Sequence, residues 1–207
     1  MKTIVVAMRK GGTGKTTSTR NIAVELTRRG HNVLLVDTDT QGSLTTWWKT
    51  REAETPQLLV TSPTDLSDAL DKAEKAGYEY VLIDSAPLSN EAISATVQYA
   101  DFVLIPMKAG SDDLRAVGQT IKLVKDLNKP FAFVLNEVKS NAVITRKVAE
   151  AVSQYGPLAP SQPSRIQHVE APVNGLTCID LGMSNKASKD VVLLTDYVIK
   201  RLESLDE

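Results

Sequence analysis

A chain of 207 residues, 42% hydrophobic and 24% charged, has the makeup of a soluble globular protein, and its length suits a single domain over 1–207. Its 24 basic and 25 acidic residues leave a formal net charge of -1, which excludes a free chain that coats nucleic acid by general basicity. The single cysteine, Cys178, excludes an intrachain disulfide, and no apolar run approaches the roughly 18 residues of a membrane span, so the expected compartment is the cytoplasm.

In chain order, short β-branched apolar runs alternate with segments of helical period. TIVVA (3–7) leads into the loop 8-MRKGGTGKTT-17 and a helix over 15–29. NVLLVD (32–37) is followed by a polar loop with Asp37 and Asp39, then by Trp47 and Trp48, and a helix is predicted over 64–76. YVLID (80–84), FVLIP (102–106) and FAFVLN (131–136) are the remaining strands, separated by helices over 90–99, 111–127 and 141–154. QYGPLAPSQPS (154–164) reads as a proline-rich loop inside the domain, and a last amphipathic helix is expected over 189–207. Runs apolar on nearly every residue fit strands covered on both faces, so the fold class is α/β: a mainly parallel twisted sheet with helices on both sides. Such a sheet collects its ligands at the carboxyl ends of its strands.

The first loop carries the chemistry. Gly14, Lys15 and Thr16 complete the phosphate-loop pattern G-x-x-x-x-G-K-S/T, but its first glycine position is taken by Arg9. Gly11, Gly12 and Gly14 let successive backbone N–H groups turn inward, and the helix that follows presents its positive end. Lys15 then neutralises the outer phosphates and the Thr16 hydroxyl can ligate Mg²⁺; the bland alternative is a glycine-rich turn without chemical use. Asp84, at the end of an apolar strand in VLIDSAP, has the position of a carboxylate that holds Mg²⁺ through water. Asp37 and Asp39, two apart at a strand end, share a face. One can serve the metal while the other orients a water, or both are solvated loop residues or helix caps.

Together these residues resemble the ParA/MinD group of P-loop ATPases, whose loop reads K-G-G-x-G-K-S/T. The resemblance covers nearly the whole chain: KGGTGKTT (10–17), VDTDTQGS, VLIDSAP, EAPVNG (170–175) and KAS (186–188) are similar to the group's segments. Thr40, Thr13 and Ala86 replace residues usual in the group, without loss of a functional polar side chain. The resemblance implies that Lys10 reaches across a homodimer interface to phosphates held by the second subunit, so that Arg9 is tolerated. A lysine that folds back onto its own nucleotide is the alternative. It further implies ATP and Mg²⁺ as ligands, bound by Lys10, Gly11, Gly12, Thr13, Gly14, Lys15, Thr16 and Thr17, with Thr16, Asp37 and Asp84 around the metal. Lys10, Lys15 and Asp39 are the implied catalytic residues, Asp39 positioning the attacking water. Asn136 is similar to an asparagine that hydrogen-bonds adenine, unless it caps a buried turn.

By the same resemblance the chain forms an ATP-sandwich dimer, binds non-specific DNA in that state, and segregates or positions a plasmid, a chromosome or a protein assembly. A ParB-like or cargo-adaptor partner would stimulate an otherwise slow hydrolysis, and the ATP form would sit on the nucleoid. The expected DNA contacts are Arg146, Lys147, Arg165, Lys186 and Lys189, with Lys200 and Arg201 beside them, doubled by the second subunit. Other readings are a MinD-like membrane switch and a metabolic P-loop enzyme. The terminal helix ends in Glu203, Asp206 and Glu207, which disfavours anionic lipid, so stable membrane insertion is not expected. The two tryptophans suit a helix start or a dimer contact better than base stacking.

Overall fold

A computed structural model describes residues 1–86, 90–139 and 142–205, with the side chains of 90–92 left aside. Pro87, Asp206 and Glu207 lie outside the described residues. Strands β1 (Lys2–Val6), β2 (Val33–Asp37), β3 (Gln57–Val60), β4 (Tyr80–Asp84), β5 (Phe102–Lys108), β6 (Phe131–Val138) and β7 (Gln162–Pro163) form one parallel sheet in the order β3-β2-β4-β1-β5-β6-β7. The helices are α1 (Lys15–Arg28), α2 (Ser43–Thr50), α3 (Leu66–Lys75), α4 (Asn90–Val97), α5 (Ser111–Asp126), α6 (Val143–Ser153), α7 (Gln167–Glu170) and α8 (Lys186–Glu203). A 3-10 turn, Ala171–Asn174, follows α7.

The five apolar runs form the inner strands, and their alternate residues feed two cores. Val5, Val81, Ile83, Val103, Ile105 and Phe133 face one side, with Leu66, Ile93, Ile121 and Val148 of α3, α4, α5 and α6. Ile4, Val6, Leu82, Leu104 and Val134 face the other, beneath Ile22 and Leu26 of α1, Leu44 and Trp47 of α2, and Val191, Leu194 and Val198 of α8. Each such fully buried aliphatic side chain contributes about 1.5–3 kcal/mol, so a strand fed from both faces holds its register. The apolar stripe of α8 is thus spent on the core. Asn185 starts that helix three residues earlier than the sequence pattern suggests, its Oδ1 accepting from Ser188 N at 2.8 Å. Among the described residues no helix is long and apolar enough to cross a membrane.

Three elements were not expected, β3, β7 and α7, while α2 holds Trp47 and Trp48, for which the sequence suggests a helix start or a dimer contact. Strands β3 and β7 are edge strands: β3 is half-exposed with an apolar run of only three residues, Leu58, Leu59 and Val60, and β7 is two residues long with a proline. Helix α2 takes its order from tertiary contacts. Trp47 Nε1 donates to Leu176 O at 3.1 Å and Trp48 Nε1 to Pro56 O at 2.8 Å, so both tryptophans are structural. Arg51, at the end of α2, pairs with both oxygens of Asp180 at 2.8 and 2.9 Å and donates to Gly175 O at 3.1 Å.

Gly175, in the EAPVNG segment, sits at φ 68° with its α-carbon against the backbone of Thr50 and Arg51. A methyl group there would overlap that backbone, in a conformation that side chains already disfavour. Gly175→Ala should therefore destabilise the fold by about 2–4 kcal/mol, the sum of left-handed strain and overpacking. Chemical denaturation checks this; a loss below about 1 kcal/mol would mean the approach is softer than its geometry.

Candidate functional site

Strand order brings the site together. β1 lies centrally with β4 on one side, in register Val6↔Asp84, and β2 lies beyond β4 with Asp37↔Asp84. The loop after β1 therefore shares the carboxyl edge of the sheet with both strand-end acids. On the other flank Asn136 ends the regular part of β6, where a bulge and a positive φ of 53° at Glu137 break the ladder.

Lys15 opens α1 and is 7% exposed. Among the described residues its ammonium reaches one hydrogen-bond acceptor, Lys10 O, at the long distance of 3.5 Å. Burial pulls its pKa below the usual lysine value, and the nearby Asp84 and Asp39 oppose that pull. Thr16 donates to Asp84 Oδ2 at 2.6 Å, while Asp84 Oδ1 is buried without a partner. Burial pushes the Asp84 carboxyl up to about 7 against the Thr16 hydrogen bond, and Asp37 adds to the push. A carboxylate in that condition calls for a cation. Thr16 and Asp84 fit Mg²⁺ on the observation of that orphaned oxygen, the hydroxyl ligating and the carboxylate acting through water. Among the described residues no cluster of three or more His, Cys, Asp or Glu could hold a metal alone. An ion here would complete its shell with phosphate oxygens and water.

The acids divide their work. Asp37 is fully buried; its Oδ1 accepts from Asp39 N at 3.0 Å and its Oδ2 from Thr45 N and Oγ1 at 2.9 and 2.6 Å. Both oxygens are thus taken up in bracing the Asp39 turn and the first turn of α2. Asp39 lies past the strand in a turn, its Oδ1 accepting from Gln41 N at 2.9 Å, and is half-exposed. The two carboxylates do not share a strand face, because the strand ends at Asp37.

Lys10 is neither free nor turned towards its own loop. Its Nζ donates to Asp113 Oδ2 at 2.6 Å, and Asp113, in the first turn of α5, is 3% exposed and also accepts from Lys108 N at 3.0 Å. That hydrogen bond raises the lysine pKa further. Asp113 escaped the sequence reading. An acid in a helix's first turn is a common dipole partner, and nothing local marks it as the seat of a lysine 103 positions away.

Gly14, at φ 96°, leaves room for Asn136, whose Nδ2 donates to Thr13 O at 2.9 Å. A carbonyl can only accept, so the amide orientation is settled and Asn136 Oδ1 is left as a buried, unpartnered acceptor. Beside it opens a cavity of about 200 Å³, walled by Ile22, Val191 and Leu194 and rimmed by Gln162, Arg165 and His168. Thr17 and Ser18 also line it.

The remaining basic residues differ in availability. Arg146, Lys147, Lys186 and Lys189 project from the surface to different degrees, Arg146 lying 3.9 Å from Glu150. Arg165 instead donates to Asp190 at 2.9 Å and lines the cavity, so its charge is already matched. Lys200 is exposed, whereas Arg201 has a buried, unpartnered Nε.

The family model described as the CobQ/CobB/MinD/ParA nucleotide binding domain matches residues 4–176. The chain belongs to this family. It is 33% identical over 201 residues to the maintenance of carboxysome distribution protein A of Halothiobacillus neapolitanus, with 92% of each chain covered. The solved MinC:MinD cell division complex of Aquifex aeolicus has TM-score 0.81 at 21% identity, covering 97% of this chain and 96% of that one. A solved ATP complex of a Cyanothece McdA variant has TM-score 0.73 at 20% identity, covering 99% and 96%. The α/β sheet described above is the ParA/MinD fold.

Because both Asp37 oxygens accept hydrogen bonds from the Asp39 turn and α2, Asp37→Asn should cost about 1–2 kcal/mol of stability, as loss of a helix cap does. Nucleotide affinity should stay within about threefold, since that loss falls on α2 and not on the phosphate loop. A loss of Mg²⁺-dependent binding of about tenfold or more by calorimetry would instead return Asp37 to the metal.

Proposed function

We propose that this protein is an ATP-driven positioning switch. Two chains close around two Mg·ATP, the closed dimer holds non-specific DNA, and hydrolysis, stimulated by a ParB-like or cargo-adaptor partner, releases it. The observation that carries the reading is the buried Lys15 ammonium beside the orphaned Asp84 oxygen, with the Asn136 cavity opening next to the same loop. A nucleotide whose phosphates rest in the loop over Gly11, Gly12, Thr13, Gly14, Lys15, Thr16 and Thr17 directs its nucleoside into that cavity. Asn136 Oδ1, a bare acceptor, suits the exocyclic amine of adenine and opposes the carbonyl of guanine.

In this reading Lys15 binds and neutralises the phosphates, Thr16 and Asp84 organise Mg²⁺, and Asp39 orients the water. Lys10 leaves Asp113 for the second subunit's phosphates. Arg146, Lys147, Lys186 and Lys189 of two subunits supply the DNA contacts, and likeness to a carboxysome-distribution protein supports a large cargo, whether protein assembly, plasmid or chromosome. The burial of the α8 stripe in the core counts against a lipid-binding helix there. The expected location of the ATP form is the nucleoid.

Lys15→Ala should lose charge-assisted contacts worth about 1.5–3 kcal/mol of ATP binding, and with it ATP-dependent dimerisation in sedimentation. Asp39→Ala should still bind and dimerise while turnover drops by about 10²–10⁴-fold; unchanged turnover would dismiss its role. DNA retardation should require ATP and weaken with salt by a log–log slope of about -0.9 per phosphate contacted. Retardation equal with ATP, ADP and no nucleotide would sink the DNA half of the reading.

A further inference from the structure

His168 lines the cavity beside Asn136. Both ring nitrogens are shielded from solvent and have no hydrogen-bond partner among the described residues, so a ligand in the cavity that His168 lines meets them once the ring turns towards it. A neutral imidazole carries one donor and one acceptor, so leaving both unmet is a standing penalty that a bound group would remove. Three of the polar side chains that line the cavity are already directed elsewhere. Arg165 donates to Asp190 at 2.9 Å, Gln162 Nε2 to Asp190 O at 3.0 Å, and Asn136 Nδ2 to Thr13 O at 2.9 Å.

The surroundings also fix the form of the ring. Burial, and then the charge of Arg20, lower the imidazole pKa; Arg165 acts in the same sense, while Asp190 and Glu137 oppose them. The ring is therefore neutral near pH 7, a donor and an acceptor at once. The same cavity is lined by Asn136, whose Oδ1 is likewise buried and unpartnered, and by the apolar Ile22, Val191 and Leu194. A flat apolar heterocycle with a donor on one edge and an acceptor or hydroxyl on the other matches that arrangement, and adenosine has both.

We infer that His168 is a nucleoside-reading residue, whose imidazole hydrogen-bonds the sugar or the ring edge of the nucleotide that Lys15 holds by its phosphates. This rests on the ATP reading above and adds a specificity contact from α7, an element apart from the phosphate loop.

Competition titrations against a fluorescent ATP analogue, using ATP, 2′-deoxy-ATP and GTP, test it on the full chain. His168→Phe, which keeps the ring volume without the polar atoms, should weaken ATP by about tenfold, and His168→Gln should recover most of the loss. A sugar contact is marked by a wild-type preference for ATP over 2′-deoxy-ATP that His168→Phe erases. A base contact is marked by equal weakening of both. Wild type that binds ATP while His168→Phe binds within about twofold overturns the inference alone. Wild type that fails to bind ATP, or binds no better than Lys15→Ala, overturns the ATP reading and the inference with it. Should His168→Phe not fold, the ¹⁵N shifts of the wild-type imidazole decide: they must move on saturation with ADP, and unmoved shifts overturn the contact.

Discussion

A buried ammonium that forms no ion pair among the described residues organises this molecule. Lys15 is 7% exposed and has one long carbonyl contact, yet three acids, Asp84, Asp37 and Asp39, end or follow the adjoining strands. Neither sign is satisfied by the protein alone, since Asp84 keeps an orphaned oxygen and a carboxyl pushed up to about 7 by burial. A bare phosphate would serve Lys15 and repel the acids; a bare divalent cation would do the reverse. In the proposed reading, the chelate of a nucleotide with Mg²⁺ answers both at once.

Lys10 obeys the same electrostatics from outside the pocket. Its 2.6 Å ion pair with the buried Asp113 anchors the start of the loop to α5. In the proposed dimer, Lys10 exchanges one carboxylate for a polyphosphate, so its charge is never left unpaired. Such an exchange is favourable only when a second nucleotide-loaded chain is present, because a buried Asp113 abandoned without gain is costly. Pairing then responds to nucleotide state.

The inner strands were legible because each is apolar on both faces, a direct record of burial in a parallel sheet. The phosphate loop was legible because its glycines and Lys15 are local in sequence. What escaped depends on partners far along the chain. Nothing near Asp113 points to Lys10, and nothing near His168 points to a cavity built from α1, β6 and α8. Asp37 and Asp39 look equivalent in VDTDT, and only the placement of Thr45 over Asp37 separates a brace for α2 from an acid left half-exposed. Arg165 is a basic residue in the sequence and an ion-paired wall of the cavity in the fold.

Helix α2 is the mechanical continuation of the Asp39 turn. Its first turn is fixed to Asp37 through Thr45, and Trp47 meets two guanidinium groups, Arg20 at 5.8 Å and Arg51 at 5.5 Å from the ring centroid. Arg20 belongs to α1, and burial holds its pKa down to about 10 while Asp84 opposes the shift. Arg51 grips Gly175 O and Asp180, so one stack joins the phosphate-loop helix, the Asp39 turn and the EAPVNG segment. Each cation over the indole is worth about 0.5–2 kcal/mol, too little to forbid rearrangement and enough to make these elements move together. In the proposed mechanism, a shift of Asp39 towards an attacking water would carry α2, and with it the segment from Gly175 to Asp180. The close approach at Gly175 is what makes that coupling stiff, since backbone packed on backbone has no rotamer through which to yield.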